Sequence, residues 1–452
     1  MLDPATRALW RATSRAVLVL GTPIVLANLL TWAVGFADVL MVSRLGEAAL
    51  AGLGMANQIF FLVVIFILAV TMGTMTLVAR FVGARDEAMV SHVFRQSVLL
   101  AATQAVLIGG TGILVAPTLF RLLGATPDVA AAGSLYLRIL FLGVIAPVLD
   151  FTIASTMRGG GDAITPLRIT AVVVVLNILG NYLLIFGPGP LPAFGIAGAA
   201  AATVIARSAG AWWGWRTLRS GRSTLRVTAG SWRPDPTMMR RVLRIGVPSA
   251  FEGFLRAGSG VAFVGIIART ADGATAVAAH TVGLQLESFA RMPAFAISIA
   301  ATSLVGQRLG AGDVTEAERA GWSSLGVGLV MIVALSALLF LLARPVATLF
   351  TEDPRTIALT VRYLRILALA QPLFLAAVVM AGALRAGGDT TYPMWVSFVS
   401  GWLVLLPLAY LLGVTLQMGP AAAWLMQGAN YAVSALLLIF RFRGGGWRSM
   451  HV

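Results

Sequence analysis

The sequence contains no cysteine and, by count, no lysine, and only 11% of its 452 residues are charged. Without cysteine there are no disulfides, no thiolate nucleophile and no thiolate metal site, and the redox compartment cannot be read from the chain. Its histidines, His92, His280 and His451, lie too far apart to suggest a local metal motif. A soluble globular chain carries about 25% charged residues, so too little charge is present to clothe a water-facing surface. That excludes a soluble enzyme, a DNA-binding protein and a disordered scaffold. What fills the sequence is apolar: 58% of residues are hydrophobic and the mean hydropathy is +0.89. A bilayer is the medium in which such a chain is stable.

The net charge of +15 comes from 33 basic residues, all of them arginine, a one-sided usage that reflects coding composition. Their positions are more informative. Arg7, Arg11 and Arg15 precede the first apolar run, Arg441, Arg443 and Arg448 follow the last, and Arg216 to Arg244 crowd the middle. This is the positive-inside distribution of a polytopic membrane protein, with a secondary use in meeting anionic lipid headgroups. It is not a duplex-binding stripe.

A spanning helix needs about 20 apolar residues. Charge-free stretches at 16–37, 48–79 and 96–120 meet that length, and 390–440 is long enough for two spans with a break at Gly413–Pro420. The whole chain read this way predicts an all-α membrane protein of twelve transmembrane helices, near 16–41, 50–80, 93–117, 133–157, 165–187, 193–217, 243–268, 275–305, 321–343, 360–384, 391–413 and 420–440. The loops after the second, fourth, sixth, eighth and tenth helices and both termini carry most of the arginines, whereas the loops after the fifth and eleventh carry none, so both termini are expected in the cytoplasm and the protein in the cytoplasmic membrane of a bacterium. The first run is too long for a signal-peptide core, and continuously apolar runs exclude a β-barrel.

The pentapeptide Tyr136-Leu137-Arg138-Ile139-Leu140 recurs unchanged as Tyr363-Leu364-Arg365-Ile366-Leu367. At the same offset of 227, the difference between 363 and 136, Gly46 matches Gly273, Asp86 matches Asp313, Arg158 matches Arg385 and Asp162 matches Asp389. Pro23 and Pro248 are two positions out of register. Such a series marks a duplication. Each half holds six helices, an even number, so the halves share an orientation, as in the parallel repeats of secondary transporters. The expected organisation is an N-terminal six-helix lobe, 1–218, a cytoplasmic linker, 219–240, and a C-terminal six-helix lobe, 241–452. The turns Arg158-Gly159-Gly160-Gly161-Asp162 and Arg385-Ala386-Gly387-Gly388-Asp389 lack a Walker lysine and are expected as tight cytoplasmic turns with a charged clamp.

Acids inside a bilayer are functional candidates, since placing one at a helix centre costs about 2.5–3.5 kcal/mol. Four fall within the spans: Asp38, Asp150, Glu252 and Glu287. Glu252 has Arg256 four residues on and Glu287 has Arg291 four residues on, so each shares a helix face with a neutralising partner. Asp38 and Asp150 have no arginine at three or four residues' distance and fit a proton-carrying role. At about 1.5 Å per residue, Asp38, Asn177, Asn181 and Thr203 fall in one polar layer, with Asp150 deeper. The structural alternative for Asn177 and Asn181 is a hydrogen bond holding helices together. Pro23, fifteen residues before Asp38, permits a kink and is the candidate hinge.

Together these residues resemble the multidrug and toxic compound extrusion (MATE) family over essentially the whole chain. The resemblance is carried by Ala278-Ala279-His280-Thr281-Val282-Gly283-Leu284-Gln285-Leu286-Glu287-Ser288, by Met292-Pro293-Ala294-Phe295, by Leu304-Val305-Gly306-Gln307-Arg308-Leu309-Gly310-Ala311-Gly312 and by the two turns at Arg158 and Arg385. It implies two six-helix lobes around a V-shaped cavity, alternating access, and export of organic cations in exchange for protons or sodium. Asp38, with Pro23 upstream, looks like the N-lobe carboxylate of the DinF-like branch, and Asn177 and Thr203 look like its partners. A position that is often aspartate in the family is here Asn181, which leaves one carboxylate and favours protons over sodium. The cation site of the NorM-like branch looks incomplete, because 360–384 carries no acid; Glu252, Glu287 and Arg256 are the C-lobe candidates for substrate or coupling.

The expected function is therefore a proton-coupled antiporter exporting cationic amphiphiles, with Asp38, Asn177, Asn181, Thr203 and Asp150 at the coupling site. The alternatives are a sodium-coupled exporter and a flippase for a lipid-linked precursor. A flippase would want arginines in its cavity, and Arg256 and Arg291 are the candidates. An enzyme is not expected: His280 is the lone histidine within a span and no paired-aspartate motif appears. No cofactor and no metal are expected beyond the coupling ion, H+ or alternatively Na+ at Asp38. The expected partners are organic cations or other small molecules and membrane lipids, without nucleic acid, and the expected state is a monomer.

Overall fold

The structure, a computed structural model, describes residues 4–450, with side chains from Ala8 onward; His451 lies outside them. The chain is all-helical among the described residues. Its helices are α1 (Pro4–Ser43), α2 (Glu47–Gly83), α3 (Glu87–Leu122), α4 (Pro127–Leu142), α5 (Ile145–Gly159), α6 (Ile164–Phe186), α7 (Gly195–Ser220), α8 (Pro236–Ile267), α9 (Gly273–Gly310), α10 (Val314–Leu341), α11 (Ala343–Ala347), α12 (Pro354–Ala386), α13 (Thr391–Phe398), α14 (Leu406–Tyr410) and α15 (Pro420–Arg443). Ten helical segments are individually long and apolar enough to cross a bilayer. The pair α4 and α5, bent by 53°, makes an eleventh. α7, 26 residues rich in alanine and glycine with Arg207 at its middle, falls short of that hydropathy and corresponds to the sixth helix expected from the sequence. Among the described residues the helices thus match the twelve expected from the sequence in number and order, eleven of them apolar enough to span. Large apolar side chains on their outer faces, such as Leu114 at 78% exposure, suit acyl chains rather than water.

Two spans depart from simple helices, for a stated chemical reason in each. Pro147 has no N–H to offer the Gly143 carbonyl, which accepts instead from Ala146 at 3.0 Å. Gly143 also lies so close to Val204 that an added Cβ would come within 2.3 Å of Val204 Cγ1. The chain therefore breaks at 143–144 into α4 and α5. The eleventh span, 391–415, alternates α-helix with two π-helical stretches, Val399–Leu405 and Leu411–Thr415, on either side of Pro407.

The chain forms two compact units, Pro23–Ala250 and Met1–Thr22 with Phe251–Val452. Chain order alone places lobes at 1–218 and 241–452; packing assigns the start of α1 to the C-terminal half and 219–250 to the N-terminal half. A close approach at a glycine accompanies each assignment. A Cβ on Gly21 would come within 2.9 Å of Ile297 Cδ1 on α9, and one on Gly246 within 1.5 Å of the Ala69 carbonyl on α2. Gly21 and Gly246 stand two residues before Pro23 and Pro248, so the duplication repeats this close approach. In the Pro23–Ala250 unit, α2, α3, α4 and α7 pack around Leu53, Phe120, Tyr136 and Leu137. In the other, α12 is buried against α9, α10 and α15 around Tyr363, Leu367, Trp424 and Phe442.

The Arg158 and Arg385 turns form alike: Gly161 (φ 84°) and Gly388 (φ 89°) take left-handed conformations, and the Asp162 and Asp389 amides reach back to the carbonyls of Met157 and Leu384. The aspartates of these turns find their charged or polar partners elsewhere in the chain. Asp389 pairs with Arg441 at 2.7 Å, and Asp162 accepts from the Ser223 hydroxyl at 2.6 Å.

The linker lies against the start of α3. Arg95 donates to the Thr228 carbonyl at 2.8 Å, Gln96 bonds the backbone at Arg233 and Asp235, and His92 meets the Asp235 carboxylate at 2.9 Å. The His92 hydrogen bond, followed by the backbone amides of Met238 and Thr237, holds the Asp235 carboxyl below its ordinary range. A carboxyl depressed in the folded state stabilises the strap above its unfolded pKa, about 3.9, and the contribution is lost as pH falls below it. Hydrogen exchange across 226–240 in Asp235→Asn is expected to be faster than in wild type at neutral pH. Equal protection would show that the carboxylate does not hold the linker.

Candidate functional site

The sequence-derived layer in the N-terminal half is brought together by four helices. Small residues let α6 and α7 approach closely: a Cβ on Gly198 would come within 2.3 Å of the Leu184 carbonyl, and one on Gly180 within 3.1 Å of Ala202. Along this seam Asn177 Nδ2 donates to Thr203 Oγ1 at 3.1 Å, and Asn181 Nδ2 donates to Asn177 Oδ1 at 3.2 Å. Asn181 Nδ2 also donates to Asp38 Oδ1 on α1. Asn181 is 0% exposed, while Asp38 is half-buried. The Asn181 Oδ1 atom is buried without a hydrogen-bond partner. The ladder therefore directs one amide donor, that of Asn181, at the carboxylate and leaves one acceptor beside it. Tyr136 on α4, buried, stands next to Thr203 and Asp38.

Asp150 differs from expectation. It has no arginine partner on its own helix, but Arg207 Nη1 on α7 reaches Asp150 Oδ2 at 2.9 Å. Local spacing on α5 could not show this pair, because the partner comes from another helix 57 residues on. Nor are Arg256 and Arg291 the sole arginines in mid-span: Arg207 occupies the middle of α7 and stacks over Phe151 at 5.4 Å.

In the C-terminal half both glutamates pair as their spacing implies, and each acquires partners from other helices. Glu252 on α8 pairs with Arg256, and its other oxygen accepts from Arg385 of α12 at 2.9 Å. Glu287 on α9 pairs with Arg291 at 2.5 Å. It also accepts from the Tyr363 hydroxyl at 2.9 Å and from Gln371 at 3.1 Å, both on α12. Tyr431 of α15 receives a hydrogen bond from Arg291, whose guanidinium lies 4.9 Å from the Phe374 ring centroid. Gly283 makes room for this arrangement, since a Cβ there would come within 2.0 Å of the Tyr363 ring.

Arg207, Arg385, Gln371 and the two tyrosines were therefore missed by local spacing. One signal was available. Tyr136 and Tyr363 open the duplicated pentapeptide, and both lie at the polar centre of their halves. Among the described residues no group of three or more His, Cys, Asp or Glu side chains is placed to hold a metal ion. Pro23 lies inside α1.

Comparison with known proteins accords with this architecture. The MatE family profile matches residues 23–183 and 248–411, once in each half. The chain belongs to the MatE family. MATE proteins are membrane transporters, and the curated relatives carry drug-resistance names. A probable multidrug resistance protein NorM from Thermotoga maritima is 30% identical across 97% of this chain and 94% of its own length. Multidrug resistance protein MdtK from Yersinia pestis is 26% identical over 95% of both. Among solved structures, a MATE protein in a bent conformation superposes with a TM-score of 0.89 at 22% identity, covering 98% of each chain. A MOP superfamily transporter from Pyrococcus furiosus gives 0.88 at 23% identity, over 96% and 95%. At these identities the structural likeness speaks to the fold.

Removing one partner of a buried ion pair leaves the others uncompensated, at about 3–5 kcal/mol. Glu287→Ala is expected to lower the melting temperature of the detergent-solubilised transporter sharply, and Glu287→Gln, which keeps acceptors for Tyr363, less so. An unchanged melting temperature in the alanine variant would contradict the network.

Proposed function

We propose that this MATE protein is a proton-coupled antiporter. It exports cationic amphiphilic drugs or toxic compounds across the cytoplasmic membrane by alternating access, with both termini in the cytoplasm and Asp38 as the coupling carboxylate. One observation carries the reading. Of the four acids in the spans, Asp150, Glu252 and Glu287 are each paired with arginine, whereas Asp38 has no ion pair among the described residues. Its hydrogen-bond partner is a neutral amide, so its charge must be balanced by something that arrives from outside the fold.

A proton and an organic cation both satisfy that demand, and they satisfy it at the same atoms. When Asp38 is ionised, Asn181 donates to one oxygen while the other is free to attract an ammonium group from the cytoplasm or inner leaflet. When a proton enters from the outside, the charge disappears and the cation leaves. The unpartnered Asn181 Oδ1 lies close enough to serve as acceptor for the new O–H after the amide rotates. Asn177 and Thr203 hold Asn181 in place, as the DinF-like reading of Asp38, Asn177 and Thr203 implies. One carboxylate among amide and hydroxyl oxygens is a weak cage for sodium, which favours the proton as coupling ion. The drug-resistance names of the relatives support the substrate class.

The test is ethidium transport in proteoliposomes under an imposed pH gradient without sodium. Wild type is expected to transport and Asp38→Asn to lose gradient-driven transport. A requirement for sodium would replace the coupling ion, and undiminished transport by Asp38→Asn would remove Asp38 from the mechanism.

A further inference from the structure

The charges inside the Pro23–Ala250 unit do not balance pairwise. Two carboxylates, Asp38 and Asp150, face one mid-span arginine, Arg207. Arg207 lies one helical turn from Thr203, and Thr203 is joined through Asn177 and Asn181 to Asp38. The polar groups thus form one continuous series from Asp38 to Asp150, with Arg207 between the two acids. In the structure the arginine is committed to Asp150 at 2.9 Å, with side-chain exposures of 22% for Arg207 and 13% for Asp150. Its guanidinium lies over the Phe151 ring, 5.4 Å from the centroid.

A Cβ on Gly210 would come within 3.3 Å of Asp150 Oδ1 and within 2.5 Å of Val173, so the carboxylate lies against bare α7 backbone less than one turn from Arg207. The field of Arg207 nevertheless reaches Asp38. Two further titratable groups face this series. Tyr136 on α4 stands beside Thr203, and Arg158, eight residues on from Asp150 along α5, lies within the field of that carboxylate and has contacts of its own. α6 contributes amides to the series, and its Arg168 and Tyr182 are exposed.

We propose that Asp150 is a positioning residue that sequesters Arg207, and so keeps Asp38 unpaired for the proton or the drug cation. This rests on Asp38 being the coupling carboxylate. An arginine in hydrocarbon takes whichever carboxylate is within reach. If Asp150 loses its charge, Arg207 turns along the α7 face towards Asp38 and occupies the site as a permanent internal cation. Asp150 then matters to transport without touching the substrate or carrying the exchanged proton. If the arginine is removed instead, two unpaired carboxylates share the interior, and protons bind to them as a coupled pair.

The test is a double-mutant cycle on ethidium transport in proteoliposomes, with the pH profile recorded for each variant. Asp150→Asn is expected to lower the initial rate about tenfold or more, and Asp150→Asn with Arg207→Gln to recover to within about threefold of wild type, a coupling of the size seen between contacting residues. A double variant as impaired as Asp150→Asn overturns the proposal, since Asp150 would then act on its own account. Arg207→Gln alone provides a second arm, independent of whether Asp150→Asn folds. Its pH profile is expected to gain a second step, and an unchanged profile overturns the proposal equally. Asp38→Asn run alongside separates the two readings. Transport by Asp38→Asn at the wild-type rate removes the coupling reading itself. Loss in Asp38→Asn with full activity in Asp150→Asn removes only the sequestration.

Discussion

An ionised side chain in the hydrocarbon interior of a bilayer must be compensated by a group carried on the same helices, because water is not there to do it. That requirement organises both halves of this transporter. Glu252 draws Arg256 and Arg385, Glu287 draws Arg291 with two tyrosines and a glutamine, and Asp150 draws Arg207 across two helices. Each compensated acid cross-links its half and has no further demand to make. Asp38 is left outside this balance, facing an asparagine. In a chain that otherwise neutralises its buried acids, this one uncompensated carboxylate is the feature on which the proposed cation exchange rests.

The duplication supplied the frame on which these pairs were placed, but the pairs themselves are not duplicated. The turn conformations at Gly161 and Gly388, the N-caps Asp86 and Asp313, and the close approaches at Gly21 and Gly246 recur in both halves. So does the tyrosine of the repeated pentapeptide. The acids do not. Asp38 sits on the first helix of its half, whereas Glu287 sits on the second helix of the other, with Phe60 at the position 227 residues earlier. Packing of small residues against backbone tolerates little change, so it was retained twice. Polar centres depend on a few side chains and diverged after the duplication, which lets one half carry a closed network and the other an open site.

The membrane class, the spans and the duplication were legible because each is written in long-range composition: a helix must fill the bilayer with apolar residues, and a copied fold keeps its glycines and prolines in register. The layer of Asp38, Asn177, Asn181 and Thr203 was legible from depth alone, since helices of known rise cross a slab of known thickness. The Glu252 and Glu287 pairs were legible because their arginines lie one turn away. What could not be read was any partner supplied by a different helix. Arg207 for Asp150 and Arg385 for Glu252 depend on which helix faces face each other, and no local period records that. The break at Gly143 was hidden for a similar reason: Pro147 marks a weak point, but whether the chain bends there depends on how closely Val204 packs.

The central claim is that Asp38 exchanges a proton for a cation at one site. It is tested most directly by proton release on drug binding, measured with the purified transporter in lightly buffered detergent as ethidium or tetraphenylphosphonium is added. The account predicts that wild type releases a proton for each cation bound and that Asp38→Asn releases none. Release that persists in Asp38→Asn, or its absence in a wild type that binds the drug, would contradict it.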